Sequence, residues 1–144
     1  MAYQKIKSYQ MSEEELRKLW DEEYCCKDIY TFDGILVQFF RNMFDHCFYE
    51  SSDFKKKDKS ILSLNRLEKM LWIKDCLQDP DAVMRKGWNK GTKSYDDDRR
   101  LTLVKGNYIV VILVFNSKKA RFVTAYEVND DHNLEAIKNA PVWS

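Results

Sequence analysis

The sequence predicts an α+β fold, with N-terminal helices packed on one face of a four-stranded, mainly antiparallel sheet and a short helix at the C-terminus. Before Pro80 the apolar residues recur with a helical period, and after it they form short strand-like runs joined by tight turns. The chain of 144 residues has the size of one domain. We therefore expect a single domain, 1–144, with a helical extension at 1–30, a core at 31–130 and a short helix within 131–144.

The first helix is predicted to begin after Ser12. Ser12 and Glu15 have the spacing of a capping box, and Met11 and Leu16 have that of a hydrophobic staple. The charges of this region are mainly acidic, whereas residues beyond position 50 carry a basic excess that the net charge of +1 conceals. A local basic excess can attract a polyanion, although ordinary solvated surfaces have the same composition.

Two more helices are predicted before Pro80. One is expected to start near Thr31 or Asp33, because apolar residues as far as Cys47 repeat with the helical period. The other is expected to start at Ser63, a good N-cap, and to end at Asp79-Pro80. The polar segment between them, 50–60, is predicted to be a surface loop.

Four strands are predicted after Pro80. Gly106-Asn107 suits a tight hairpin turn, and the four residues Asn116 to Lys119 are long enough only to join antiparallel neighbours. A last helix is expected to follow Asp130 or Asp131 and to stop before Pro141. The predicted strands are Val83 to Trp88, Arg99 to Val104, Tyr108 to Phe115 and Ala120 to Val128.

Several function classes are disfavoured by what the sequence lacks. No apolar run approaches the roughly 20 residues of a membrane span, and the first residues do not form a signal peptide. No zinc, calcium or phosphate-loop motif is present, and the cysteines form no C-x-x-C pair. We therefore expect a cytoplasmic protein without a membrane segment, metal or cofactor.

Only two histidines could transfer protons near neutral pH. His46 lies near the edge of the apolar stripe of the predicted second helix, where it could face a groove beside the sheet. A hydrogen-bonded histidine at the edge of the core would fit the same pattern, and this alternative stays open. His132 lies among Asp and Asn residues and is more typical of helix capping.

The last predicted strand is unusually polar. Strict alternation places Thr124 and Tyr126 on one face with Phe122, and it places Arg121 on the other face unless the strand contains a bulge. A hydroxyl and a phenol on a rigid strand can bind a phosphate, although both residue types are also common in ordinary strands. Positive charge near the strand ends comes from Lys105, Lys118, Lys119 and Arg121.

The order of these segments resembles the BECR nucleases, the superfamily of barnase, EndoU, colicin tRNases and RelE-like toxins, and in particular its phage and mobile-element branch. The resemblance covers roughly residues 33–130. Four segments carry it: Phe44-Asp45-His46-Cys47-Phe48-Tyr49-Glu50, the helix from Arg66 to Lys74, Asp79-Pro80-Asp81, and Arg121-Phe122-Val123-Thr124-Ala125-Tyr126.

The resemblance implies a metal-independent endoribonuclease of toxin or effector type. In such an enzyme the RNA 2′-hydroxyl attacks the adjacent phosphorus and leaves a cyclic phosphate. By this likeness His46 would be the acid or base, Arg121 or Lys105 would stabilise charge, and Thr124 and Tyr126 would position the substrate. Further RNA contacts would come from Lys118, Lys119, Tyr95 and Arg99.

The implied substrate is tRNA or another structured RNA in a bacterial or phage-infected cytoplasm, with a possible immunity or antitoxin partner. A second hypothesis is a catalytically inactive module on the same scaffold that binds RNA or a protein. The near-neutral charge and the acidic N-terminal helix favour this alternative.

Overall fold

A mixed six-stranded sheet organises the chain in the computed structural model, which describes residues 3–50, 61–86, 88–89, 94–95, 100–116, 118–128 and 131–140. Numbered along the chain, its strands lie in the order β1 (Ile29–Tyr30), β2 (Leu36–Gln38), β10 (Lys119–Glu127), β9 (Tyr108–Asn116), β8 (Arg100–Lys105) and β5 (Val83–Lys86). The β2–β10 pair is parallel and the other pairs are antiparallel. The fold is therefore α+β, as predicted, but its main sheet has six strands instead of four.

The elements have the following bounds. The helices are α1 (Glu13–Trp20), α2 (Met43–Phe48), α3 (Leu64–Glu68), α4 (Trp72–Gln78) and α5 (Asp131–Lys138). The sheet strands are β1 (Ile29–Tyr30), β2 (Leu36–Gln38), β5 (Val83–Lys86), β8 (Arg100–Lys105), β9 (Tyr108–Asn116) and β10 (Lys119–Glu127). Two separate strand pairs are β3 (Tyr49–Glu50) with β4 (Ile61–Leu62), and β6 (Trp88–Asn89) with β7 (Ser94–Tyr95).

The start of α1 confirms the predicted capping box. The Ser12 hydroxyl accepts a hydrogen bond from the Glu15 amide, and the Glu15 carboxylate accepts one from the Ser12 amide, each at 3.1 Å. Hydrogen bonding from the Ser12 amide, and then from the Ser12 side chain, lowers the pKa of the Glu15 carboxyl. The π-helical turn Asp21–Cys25 extends the helix and brings Tyr24 into the core.

The prediction of a helix starting at Thr31 or Asp33 is wrong, because this segment forms the hairpin β1–β2 before α2 begins. Gly34 has φ +94°, a conformation that turns accept and α-helices do not. Its amide donates to the Thr31 carbonyl at 3.0 Å and closes the turn. Apolar residues at 35, 37 and 39 are buried while 36, 38 and 40 are more exposed, which is the alternation of a strand.

The helix predicted from Ser63 is divided into α3 and α4. In an unbroken helix the Lys74 amide would donate to the Met70 carbonyl. Instead the Tyr24 hydroxyl lies between them: it donates to the Met70 carbonyl and accepts from the Lys74 amide at 3.1 Å. A side chain inserted into the helical ladder is a known cause of such breaks.

The two faces of the sheet are covered differently. Helices α1 to α4 pack on one face, the core face, where the ring of Phe122 lies 5.7 Å from that of Trp20 and 5.1 Å from that of Phe39. The opposite, outer face meets α5 through Leu134 and Ile137. We call the outer-face residues under α5 the covered end: Val104, Ile109, Val111, Val123, Tyr126 and Val128. Among the residues described, no helix is both long and apolar enough to cross a bilayer.

Candidate functional site

Strand β10 contains a bulge at Val123. Phe122 is paired with Ile112 on β9, and Thr124 is paired with Val111, so β10 advances two residues while β9 advances one. An extra residue of this kind reverses the inward and outward alternation beyond it. Ala120 and Phe122 face the core before the bulge, and Ala125 faces it afterwards.

The bulge corrects the predicted alternation of β10. Arg121, Thr124 and Tyr126 are paired with Leu113, Val111 and Ile109, three alternate residues of β9. Val111 and Ile109 belong to the outer cluster, whereas Phe122 belongs to the core. Thr124 and Tyr126 therefore share a face with Arg121, and not with Phe122 as strict alternation predicted.

Helix α2 presents His46 to solvent while its other side is fixed in the core. Phe44 and Phe48 are fully buried, and the Cys47 thiol donates to the Ala125 carbonyl of β10 at 3.7 Å. Arg17 of α1 pairs with Asp45 at 2.5 Å. These contacts hold α2 alongside β10, and His46 is exposed beside that strand.

His46 and Arg121 line the same groove, which has a volume of about 270 Å³. It lies past the end of β2, whose pairing with β10 covers only Lys119 to Arg121. We call it the edge groove. Its lining residues are Phe40, Asn42, Met43, His46, Arg121, Phe122 and Val123.

The exposed aromatic wall of the edge groove is Phe40, which lies in the segment predicted to form the second helix. Its side chain is 49% exposed. Its carbonyl accepts hydrogen bonds from the Trp20 indole and from the Met43 amide, both at 3.1 Å. The backbone is thus anchored to the core while the ring remains accessible. The Asp33-Gly34 turn signal could have identified this segment as a hairpin.

Thr124 and Tyr126 do not line the edge groove. Tyr126 packs in the covered end, and the Arg66 guanidinium carbon lies 5.5 Å from its ring centre. Arg66, for which the sequence predicted no role in the site, also donates to the Cys47 carbonyl at 3.1 Å. The structure therefore joins His46 to Arg121, and it leaves Thr124 and Tyr126 outside their groove.

Lys105 lies at the opposite end of the sheet from Arg121. Its ammonium pairs with Asp79 at 3.2 Å, and it lines a separate cavity of about 410 Å³ with Arg85 and Lys138. The pKa of the Asp79 carboxyl is lowered, first by the Asp81 amide and then by the Tyr3 hydroxyl and Lys105. This ion pair gives Lys105 a structural partner.

The other predicted RNA-contacting residues are dispersed. Lys118 and Lys119 are exposed at the β9–β10 turn, and Lys119 is paired with Leu36 of β2. Tyr95 belongs to β7 and is paired with Trp88 of β6, in a two-stranded sheet that is not hydrogen-bonded to the main sheet. Arg99 lies outside the described residues.

Metal-ion chemistry and catalysis by the buried Cys76 thiol find little support in the described part of the chain. No group of three His, Cys, Asp or Glu side chains there could hold a metal ion. The buried Cys76 thiol has its pKa raised to about 12, mainly by desolvation, and is therefore protonated at neutral pH. His132 is exposed on α5 and does not line the edge groove.

The edge groove combines an imidazole, a guanidinium and an exposed aromatic ring. Imidazole can accept or donate a proton near neutral pH, and guanidinium binds phosphate oxygens through paired hydrogen bonds. An aromatic ring offers a stacking surface for a base. Comparison of the chain with protein-family models, with curated proteins and with solved structures finds no match.

Proposed function

We propose that this protein is a metal-independent endoribonuclease whose active site is the edge groove. The observation that carries the proposal is the meeting of His46 and Arg121 in one groove, although 75 positions separate them in the chain. The resemblance of residues 33–130 to BECR nucleases supports the same chemistry. The proposed substrate is tRNA or another structured RNA, and the proposed setting is a toxin or effector in a bacterial or phage-infected cell.

In the proposed reaction the RNA 2′-oxygen forms a bond to phosphorus as the bond from phosphorus to the 5′-oxygen breaks. His46 accepts the proton of the 2′-hydroxyl, and the leaving 5′-oxygen takes a proton from solvent. Arg121 stabilises the negative charge that develops on the phosphoryl oxygens. The products are a 2′,3′-cyclic phosphate and a 5′-hydroxyl.

The test is cleavage of purified total tRNA by the intact protein in EDTA. We expect wild-type protein to cut and His46→Ala to lose about 10²- to 10⁴-fold in rate, the usual contribution of a general acid or base. His132→Ala is the matched control, because His132 is the second exposed histidine and lies outside the edge groove. Mass spectrometry of the fragments should detect the cyclic phosphate. Equal cleavage rates for wild type and His46→Ala would contradict the assignment of His46 as the general base.

A second candidate function is a non-catalytic RNA- or protein-binding module. The location of Thr124 and Tyr126 favours it, because two of the four proposed catalytic side chains lie outside the edge groove. The same assay separates the two functions. A binding module would give RNA complexes but no new RNA ends.

A further inference from the structure

We infer that the edge groove takes an unpaired nucleotide, with its base stacked on Phe40 and its phosphate between His46 and Arg121. The inference rests on the proposed function and deepens it, because it names single-stranded RNA as the form of the substrate. Phe40, His46 and Arg121 line the same groove. A base inside a duplex has both faces covered by its neighbours, so only an unpaired base can offer one to Phe40.

The Phe40 ring is exposed but not loosely held. The preceding residue, Phe39, is buried and stacks on Phe122, while two hydrogen bonds fix the Phe40 carbonyl. Arg41 pairs with Asp21 at 2.8 Å on the other side. An aromatic side chain on a fixed backbone loses little conformational freedom when a base stacks on it. Anchoring of this kind distinguishes Phe40 from an incidental exposed apolar residue.

Next to the edge groove, the outer face of the sheet presents further exposed side chains. On the outer face Gln38 is paired with Arg121, Leu36 with Lys119, and Tyr30 with Leu36. Tyr30 is 46% exposed, and Gln38, Lys119 and Arg121 are exposed. We call this part of the outer face, together with Phe40, the open end.

The open end combines aromatic rings with cations. Tyr30 on β1 and Phe40 after β2 supply ring faces, whereas Lys119 and Arg121 supply positive charge on the neighbouring strand β10. Proteins that bind single strands combine these two features, since cations follow the backbone and rings stack the bases. The charge favours a polyanion as the occupant over an apolar protein surface.

The experiment measures binding separately from cleavage. A fluorescein-labelled 12-nucleotide RNA with 2′-O-methyl groups cannot undergo 2′-hydroxyl attack, and its affinity is measured by fluorescence anisotropy with intact protein. We expect it to bind at least about tenfold more tightly as a single strand than as a duplex with its complement. Phe40→Ala should weaken single-strand binding by about 5- to 100-fold, and Phe40→Trp should retain it.

Phe32→Ala is the matched control. Phe32 is 43% exposed, close to the value for Phe40, but it lies in the β1–β2 turn and does not line the edge groove. Equal affinity for single strand and duplex, or equal effects of Phe40→Ala and Phe32→Ala, would overturn the inference. Absence of RNA binding would overturn it as well and would favour a protein partner for the open end.

The two proposals fail in different ways. Selective, Phe40-dependent binding without cleavage of tRNA would support the single-strand site and reject the endoribonuclease. Cleavage by the wild type together with Phe40-independent binding would support the enzyme and reject the stacking role.

Discussion

The two ends of the outer face share strand β10 but differ in what lies over them. At the covered end, apolar residues such as Ile109 and Val111 pack under α5. At the open end, Tyr30, Lys119 and Arg121 are exposed. On β10 the covered end begins at the bulge residue, Val123. One sheet face therefore packs under a helix at one end and leaves a ring and two cations exposed at the other.

The largest expected effect concerns stability at the covered end. Ile109 is 2% exposed, and Ile109→Ala should lower the free energy of unfolding by about 2–5 kcal/mol through lost burial and a cavity. Urea unfolding measures this change. Leu113 is the next residue after Val111 on the same face of β9. Leu113→Ala should lower the free energy of unfolding by less than Ile109→Ala does, because Leu113 is only partly buried.

RNA cleavage per folded molecule should remain unchanged in Ile109→Ala. An Ile109→Ala protein that kept its stability but lost cleavage would contradict the separate roles assigned to the covered end and the open end.

The next effect concerns activity at the open end. Arg121→Ala should reduce the cleavage rate by about 10²- to 10³-fold, the usual cost of removing one charge-stabilising donor, with little change in melting temperature because Arg121 is exposed. Arg121→Lys should retain part of the rate, since it keeps the charge without the paired donors. Single-turnover kinetics on tRNA measure both variants.

Thr124→Ala is the comparison for Arg121→Ala on the same strand and face. Thr124 does not line the edge groove, so its loss should reduce the rate by less than about tenfold. A Thr124 effect as large as that of Arg121 would place the reacting phosphate over the bulge instead of at the groove.

The smallest effect concerns the Lys105–Asp79 pair. The pKa of Asp79 is lowered in the folded protein, first by the Asp81 amide and then by the Tyr3 hydroxyl and Lys105. The stabilisation from these contacts is therefore present above the unfolded pKa of about 3.9 and is lost as the pH falls through the folded pKa. Asp79→Asn should remove less than about 1 kcal/mol at neutral pH. Its unfolding free energy should also depend less on pH below about pH 4.

Urea unfolding at several pH values measures the Asp79→Asn difference. Cleavage should not change, because neither partner lines the edge groove. A large loss of cleavage in Asp79→Asn would indicate that Lys105 contacts the substrate.

Long regular segments were predictable from the sequence and short ones were not. Strands β8, β9 and β10 and the capping box of α1 are found close to their predicted positions. Strands β1 and β2 have two and three residues, too few to show a period of their own, and the apolar spacing around them matched a helix by chance. The break between α3 and α4 depends on Tyr24, which is distant in sequence from both helices.

Two of the residues that line the edge groove, His46 and Arg121, were predicted as site residues from their type and position, but their grouping was not predicted. The placement of Thr124 and Tyr126 on the same face as Arg121 depends on a bulge, which is set by the register between β9 and β10 and not by the local pattern of β10. Phe40 was missed as a groove residue because its segment was assigned to a helix.

The edge groove is assembled from two distant parts of the chain, residues 40–46 and 121–123. During synthesis on the ribosome, the first part emerges long before the second exists. A nascent chain that ends before Arg121 therefore has one wall of the groove and no guanidinium to complete it. For a protein proposed to cut RNA, this order of synthesis keeps the site incomplete until Arg121 has been added.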